Sequence, residues 1–197
     1  DTVANFDGRE RHLRIAPEID LKVVMALSGL ERVYELGRLF RNEGTDTRHH
    51  PEFTNVEAYT AYQTREEAIG LTERVLTDIA RAQGTDYDFT NIPRTSVAEL
   101  FEKHDVNFER ILSLVESDDI GALRAYAKTV GVDDADTRGA SGIIDAIMKR
   151  RVRPTVDAPL IVDGYLSDQL PLAASLKSDD RFADAFQVML KTAEMVK

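Results

Sequence analysis

Arg41, Glu43, Phe53, Glu57 and Tyr59 crowd one short stretch of the chain, and their types suit a common chemistry. A guanidinium can grip phosphate or carboxylate through two parallel hydrogen bonds. A glutamate can hold an ammonium group, and an aromatic ring can stack on a base. Together they suit a ligand that carries both an anionic and a cationic part. Side chains alternate along a strand, so residues two apart share a face. If residues 31–42 and 53–62 are strands, Glu35, Arg41 and Glu43 share one face of the first. Phe53, Glu57 and Tyr59 share one face of the second. Only the register decides whether the two faces coincide. The competing explanation is a solvated face of cross-strand ion pairs.

These residues need a scaffold. The segments 31–42 and 53–62 are rich in Val, Tyr, Leu and Phe. The polar segment 43–51 between them carries Gly44, His49 and His50, so a long antiparallel hairpin is expected. Residues 12–15 read as a short strand. Glu18–Ser28 reads as a helix, with Ile19, Val23 and Leu27 beside Leu21 and Met25, and with Gly29 as its stop. Residues 64–83 read as a helix opened by a Thr64/Glu67 capping box. Its apolar stripe would be Ala68, Leu71, Val75, Leu76 and Ile79. Short helices are expected over 96–103 and 107–115. Another begins at Ser117, with Asp118 and Asp119 in its first turn, and stops at Gly131. A further helix covers 141–151 until Pro154 and Pro159 end it, and strands are expected at 160–162 and 186–195. The order is α+β with a largely antiparallel sheet. Tyr34 and Tyr62 fall on the face opposite the chemistry and are expected in the core.

The 197 residues suffice for one domain, with 43% hydrophobic and 30% charged residues. No run of about 18 apolar residues suits a membrane span. Cysteine is absent, which removes disulfides and thiolate zinc sites and fits a cytoplasmic protein. Nothing at the start reads as a signal peptide, and an opening without Met suggests a trimmed or cut chain. The net charge of −10 argues against a nucleic-acid grip within this segment. The basic run Lys149-Arg150-Arg151-Val152-Arg153 sits at an expected helix end, where cations suit the dipole. His12 and His104 lack metal-ligand spacing and are expected to be structural or exposed.

Phe40-Arg41-Asn42-Glu43-Gly44, followed by Arg48-His49-His50-Pro51-Glu52-Phe53-Thr54-Asn55-Val56-Glu57-Ala58-Tyr59, resembles motif 2 of the class II lysyl-tRNA synthetases. Leu13-Arg14-Ile15-Ala16-Pro17-Glu18-Ile19-Asp20-Leu21-Lys22 resembles the segment before that motif, and Glu31-Arg32-Val33-Tyr34-Glu35-Leu36-Gly37-Arg38 continues the match. Aspartyl and asparaginyl enzymes share an Arg-bearing motif 2, but not this combination of Ala-Pro-Glu with Arg-Asn-Glu-Gly. The resemblance is dense over 13–62. It is looser through 64–158, expected as a mainly helical insertion. It returns in part over 159–197, where the chain rejoins the sheet and Leu170-Pro171-Leu172-Ala173 is similar to a family Ser-Pro-Leu-Ala stretch. The whole chain, 1–197, then reads as one partial catalytic domain.

The resemblance implies activation of L-lysine by ATP, with Mg2+, and transfer to tRNA(Lys). Arg41 would be catalytic, holding the α-phosphate of ATP and the lysine carboxylate. Glu43 would meet the adenine amino group, His49 the outer phosphates, and Phe53 the adenine ring. Glu18 and Tyr59 would read the lysine side chain, and Glu57 its α-amino end. Read locally, Glu18 could equally be an acid favoured at a helix start, after a normal helix-start Pro17. His49 could be a solvated loop residue. Two family acids hold magnesium; the second aligns with Glu194, but the first falls on the neutral Gln187. A family asparagine of the amino-acid pocket falls on Lys197. Motif 1 is expected before this chain. Motif 3 and the Glu-Leu-Asn segment are expected after it, and an anticodon-reading OB-fold elsewhere. The intact protein is then expected to be a homodimer that meets tRNA mainly through other parts, and this chain alone to lack substantial aminoacylation activity. One alternative is the paralogue that lysylates elongation factor P, against which Ala16 and Gly44 speak. Another is a catalytically dead binding module, suggested by Gln187 and Lys197. The density of matching residues from Leu13 to Tyr62 argues against a plain interaction domain.

Overall fold

The computed structural model describes residues 2–3, 7–42, 44, 50–191 and 193–196, and only the backbone of 2, 3, 11, 193, 194 and 196. The fold is α+β, in two compact units, residues 1–64 and 65–197.

The first unit opens with β1 (Thr2–Val3) paired to β2 (Glu10–Arg11). Residues 12–15 are irregular, so the strand expected there is absent. Helix α1 (Glu18–Ser28) starts after Pro17 and ends at Gly29, whose φ of 71° closes the helix in the left-handed region that glycine tolerates. Its stripe does not form a core. Leu21 is buried, whereas Ile19, Val23 and Leu27 are exposed, Leu27 at 84%. Strands β3 (Arg32–Phe40) and β4 (Glu52–Thr60) form the expected antiparallel hairpin. Odd-numbered positions on both strands are covered, and even-numbered ones are exposed except Phe40 and Thr60 at the strand ends, which are partly covered. Tyr34 and Tyr62 are therefore not core residues: they are 75% and 93% exposed. Tyr34 lies on the open face, and Tyr62 lies beyond the strand end with φ of 60°.

In the second unit α2 (Arg65–Gln83) buries Ile69, Leu76 and Ala80, while Val75 and Ile79 are exposed. The buried stripe is rotated from the expected one, because the partners that select it come from distant segments: Phe89, Ile92, Ile161, Val188 and Leu190. A short strand with no apolar signature, β5 (Arg94–Ser96), leads into α3 (Val97–Lys103), which Ser96 and Glu99 cap reciprocally. Asn107 caps α4 (Phe108–Glu116). Asp119, not Ser117, caps α5 (Ile120–Thr129); Ser117 instead ends α4. Helix α6 (Ala140–Ile147) continues through a π turn at Met148–Val152 and a 3-10 turn at Arg153–Thr155. Pro154 does not break it. It sits in the first positions of that last turn, where a missing N–H costs little. Strands β6 (Leu160–Asp163), β7 (Gln187–Leu190) and β8 (Ala193–Val196) complete a sheet of order β5-β6-β7-β8. The expected strand over 186–195 is a hairpin, turned at Lys191 with φ of 53°. The sheet is mixed, because β5 and β6 run parallel.

The main core of this unit gathers Phe101, Phe108, Ile111, Leu123, Ile143 and Ile147. The basic run is spent internally. Lys149 pairs with Asp145, Arg150 with Asp134, and Arg151 donates to the His104 carbonyl. His104 is structural, its ring nitrogens bonded to the Leu100 carbonyl and the Thr155 hydroxyl.

Candidate functional site

The register settles what alternation left open. Leu39 faces Phe53, Gly37 faces Asn55, Glu35 faces Glu57, and Val33 faces Tyr59. The chemistry-bearing residues of β3 and β4 thus lie on one surface, the covered face of the hairpin. Helix α1 lies against both strands. The segment before it is fastened to the end of β3, where the Phe40 amide donates to the Arg14 carbonyl at 2.9 Å.

Arg41 follows β3. Its amide donates to the Pro51 carbonyl at 2.9 Å, which closes the base of the hairpin loop. Its guanidinium stands 5.2 Å from the centre of the Phe53 ring, and Nε donates to the Ile15 carbonyl at 3.3 Å. The side chain is exposed, so the guanidinium keeps donors available while the ring holds its plane. Glu43 and His49 lie outside the described residues.

Farther along the same face, Glu57 accepts two neutral donors. The Asn55 amide gives 2.9 Å to one oxygen, and the Tyr59 hydroxyl 2.7 Å to the other. Burial pushes the Tyr59 phenol well above its ordinary range; the bond to Glu57 and the charges of Glu57 and Glu18 add to that. Tyr59 therefore remains a donor. Glu18, the first residue of α1, accepts from Lys22 Nζ at 2.6 Å, and that ammonium lies 5.6 Å from the Tyr59 ring centre. Opposite Glu57, Glu35 takes the Arg14 guanidinium on both its oxygens, one bond at 3.1 Å. The result is an electrostatic gradient: a guanidinium over an aromatic ring at the loop end, and carboxylates with a phenol at the helix end.

Glu194 sits on β8 opposite Met189, and its side chain lies outside the described set. Gln187 is 3% exposed, and its Oε1 accepts from the Tyr165 hydroxyl at 2.8 Å. Burial holds the Tyr165 phenol above its usual range. No group of three or more His, Cys, Asp or Glu among the described residues could hold a metal ion. A buried neutral amide already bonded to a phenol does not supply the carboxylate that the family resemblance implies at Gln187.

Sequence reasoning assigned no role to Asn55, Arg14 or Lys22. Asn55 shares the parity of Phe53, Glu57 and Tyr59 and was legible from alternation. Arg14 was not, because it reaches Glu35 from a segment without periodicity.

Residues 3–197 match the family model for tRNA synthetases class II (D, K and N). This chain belongs to the class II tRNA synthetases. It is 35% identical to a lysine–tRNA ligase of Streptococcus mutans over 201 residues, which cover 96% of this chain and 39% of that protein. It is 33% identical over 196 residues to the lysine–tRNA ligase of Oceanobacillus iheyensis, covering 92% of this chain and 38% of that protein. The lysine–tRNA ligase of Bacillus thuringiensis is also 33% identical over 196 residues. The chain thus spans under two-fifths of the length of these curated relatives. Among the described residues of this synthetase chain, no helix is long and apolar enough to cross a membrane.

Proposed function

We propose that this chain supplies part of the site at which a lysine–tRNA ligase activates lysine with ATP and passes it to tRNA(Lys). The observation that carries this reading is the shared hairpin face, with Arg41 over Phe53 at one end and Glu57, Tyr59 and Glu18 at the other. A lysine oriented along that face would bring its carboxylate toward Arg41 and its ammonium groups toward the acids. ATP would stack its adenine on Phe53 and leave its α-phosphate within reach of the same guanidinium, with Glu43 and His49 meeting the adenine amino group and the outer phosphates.

The chemistry then follows from charge. A carboxylate oxygen of lysine attacks the α-phosphorus of ATP, the bond to pyrophosphate breaks, and lysyl-adenylate forms. Both reactants are anionic there, so a fixed cation that strengthens its hold as charge develops lowers the barrier. Arg41 is placed to be that cation, and its two parallel donors suit both groups. A ribose hydroxyl of tRNA would next attack the acyl carbon and release AMP. Magnesium would enter with ATP as part of the substrate. Glu194 is the acid proposed to meet it, and Gln187 contributes none. The name shared by the relatives favours tRNA over elongation factor P as acceptor.

Lysine-dependent ATP–pyrophosphate exchange in the full-length protein tests this. Arg41→Ala should lower the exchange rate by roughly 10²–10³, the usual cost of removing one donor to a developing anion. A folded protein without lysine-dependent exchange would overturn the proposal.

A further inference from the structure

We infer that Lys22 is a resident ammonium that occupies the cation end of the site and must be displaced by an ammonium of the incoming ligand. The inference rests on the proposed lysine pocket and adds a residue that sets its affinity. Lys22 Nζ donates to Glu18 Oε1 at 2.6 Å and lies 5.6 Å from the centre of the Tyr59 ring. A carboxylate and an aromatic face are the two features that recognise an ammonium group, and here one from the chain itself already holds both.

A Glu–Lys pair four residues apart on a helix is often no more than local helix support. Two observations point further. The pair is not confined to the outward surface of α1, because the ammonium reaches across to a ring on β4. Its carboxylate partner is the more covered of the two, Glu18 being 26% exposed against 48% for Lys22. Lys22 can therefore rotate out to water on its flexible four-carbon stem, while Glu18 stays facing the hairpin. Paired with Lys22, the Glu18 carboxylate is neutralised and held in place. When a ligand ammonium arrives, it inherits a preoriented carboxylate, and Lys22 regains hydration and side-chain freedom. The cost of displacement is small because the pair is half-exposed.

The test measures the KM for lysine in lysine-dependent exchange by the full-length protein with Lys22→Met and, separately, Glu18→Gln. Met keeps the length of the stem and favours helix. Lys22→Met should lower the KM for lysine about threefold, which is ~0.65 kcal/mol at ~1.4 kcal/mol per decade. The KM for ATP and the kcat should stay unchanged. Glu18→Gln should raise the KM for lysine. If Lys22→Met leaves it unchanged or raises it while Glu18→Gln still raises it, the displacement idea falls and the lysine pocket stands. If Glu18→Gln has no effect, Glu18 does not meet the ligand, and both its assigned role and this inference fail. Absence of lysine-dependent exchange in the unsubstituted protein removes the function and the inference together.

Discussion

Substitution of Arg14 by Met should expose a conflict that the sequence hides. Glu35 and Glu57 face each other directly across the β3–β4 ladder, and like charges so placed repel. In the native arrangement Arg14 spans both oxygens of Glu35. The pair is about one-third exposed, Arg14 at 38% and Glu35 at 31%, so solvent screens it and its own worth is about 1 kcal/mol. Two carboxylates roughly 6 Å apart at an effective dielectric of about 40 repel by ~1.4 kcal/mol. The repulsion is there with or without Arg14, so Arg14→Met should cost about 1 kcal/mol, the worth of the pair, local to the hairpin. The decisive feature is the dependence on background. Glu35→Gln should be nearly neutral while Arg14 is present, because losing the pair offsets relief of the repulsion. In the Arg14→Met background it should stabilise by about 1 kcal/mol, because only the repulsion is removed. Amide hydrogen exchange along β3 and β4 reads the hairpin separately from the second unit. A change of about 1 kcal/mol corresponds to about fivefold in exchange rate. An effect of Glu35→Gln equal in sign and size in both backgrounds would refute the reasoning, since no coupling through Arg14 would then exist.

Two further predictions concern the second unit. Gln187→Leu should cost about 1–3 kcal/mol in urea unfolding, because it strips the buried Tyr165 hydroxyl of its acceptor; adding Tyr165→Phe should recover part of that loss. An equal loss in the single and double variants would show that the pair is not coupled. The Arg138 guanidinium, joined by Arg150, holds the Asp134 carboxyl down at about 2, below the ordinary 3.8. The stabilisation is therefore present above the unfolded value and is lost as pH falls through about 2. Asp134→Asn should lower the Tm at neutral pH and much less near pH 2, and a deficit independent of pH would refute the role of charge.

Local elements were legible where a local rule decides them. Helix α1 was bounded correctly because Pro17 opens it and Gly29 supplies the left-handed residue that closes it. Ser96 and Glu99 cap each other's backbone amides across three residues, and the Asn107 side chain accepts from the Arg110 amide, so both caps also rest on a local rule. The hairpin at Lys191 was missed because no Gly or Asn advertises its positive φ, and an apolar run reads as one strand. The stripe of α2 was misplaced for a different reason. Several apolar rows run along that helix, and only the docking of Phe89, Ile161 and Val188 selects the one containing Ile69 and Leu76.

Alternation along the chain already states which residues of β3 and β4 share a face, and the motif around Arg41 and Glu57 points to the family. How those charges are balanced follows from folding alone. Register set Glu35 against Glu57, and the irregular segment before α1 brought Arg14 onto the first. The fold of α1 onto β4 laid Lys22 over Tyr59. Spacing along a chain states what neighbours share, but a guanidinium or an ammonium answers to whichever carboxylate lies within a few ångströms, and that distance exists only after the chain has folded.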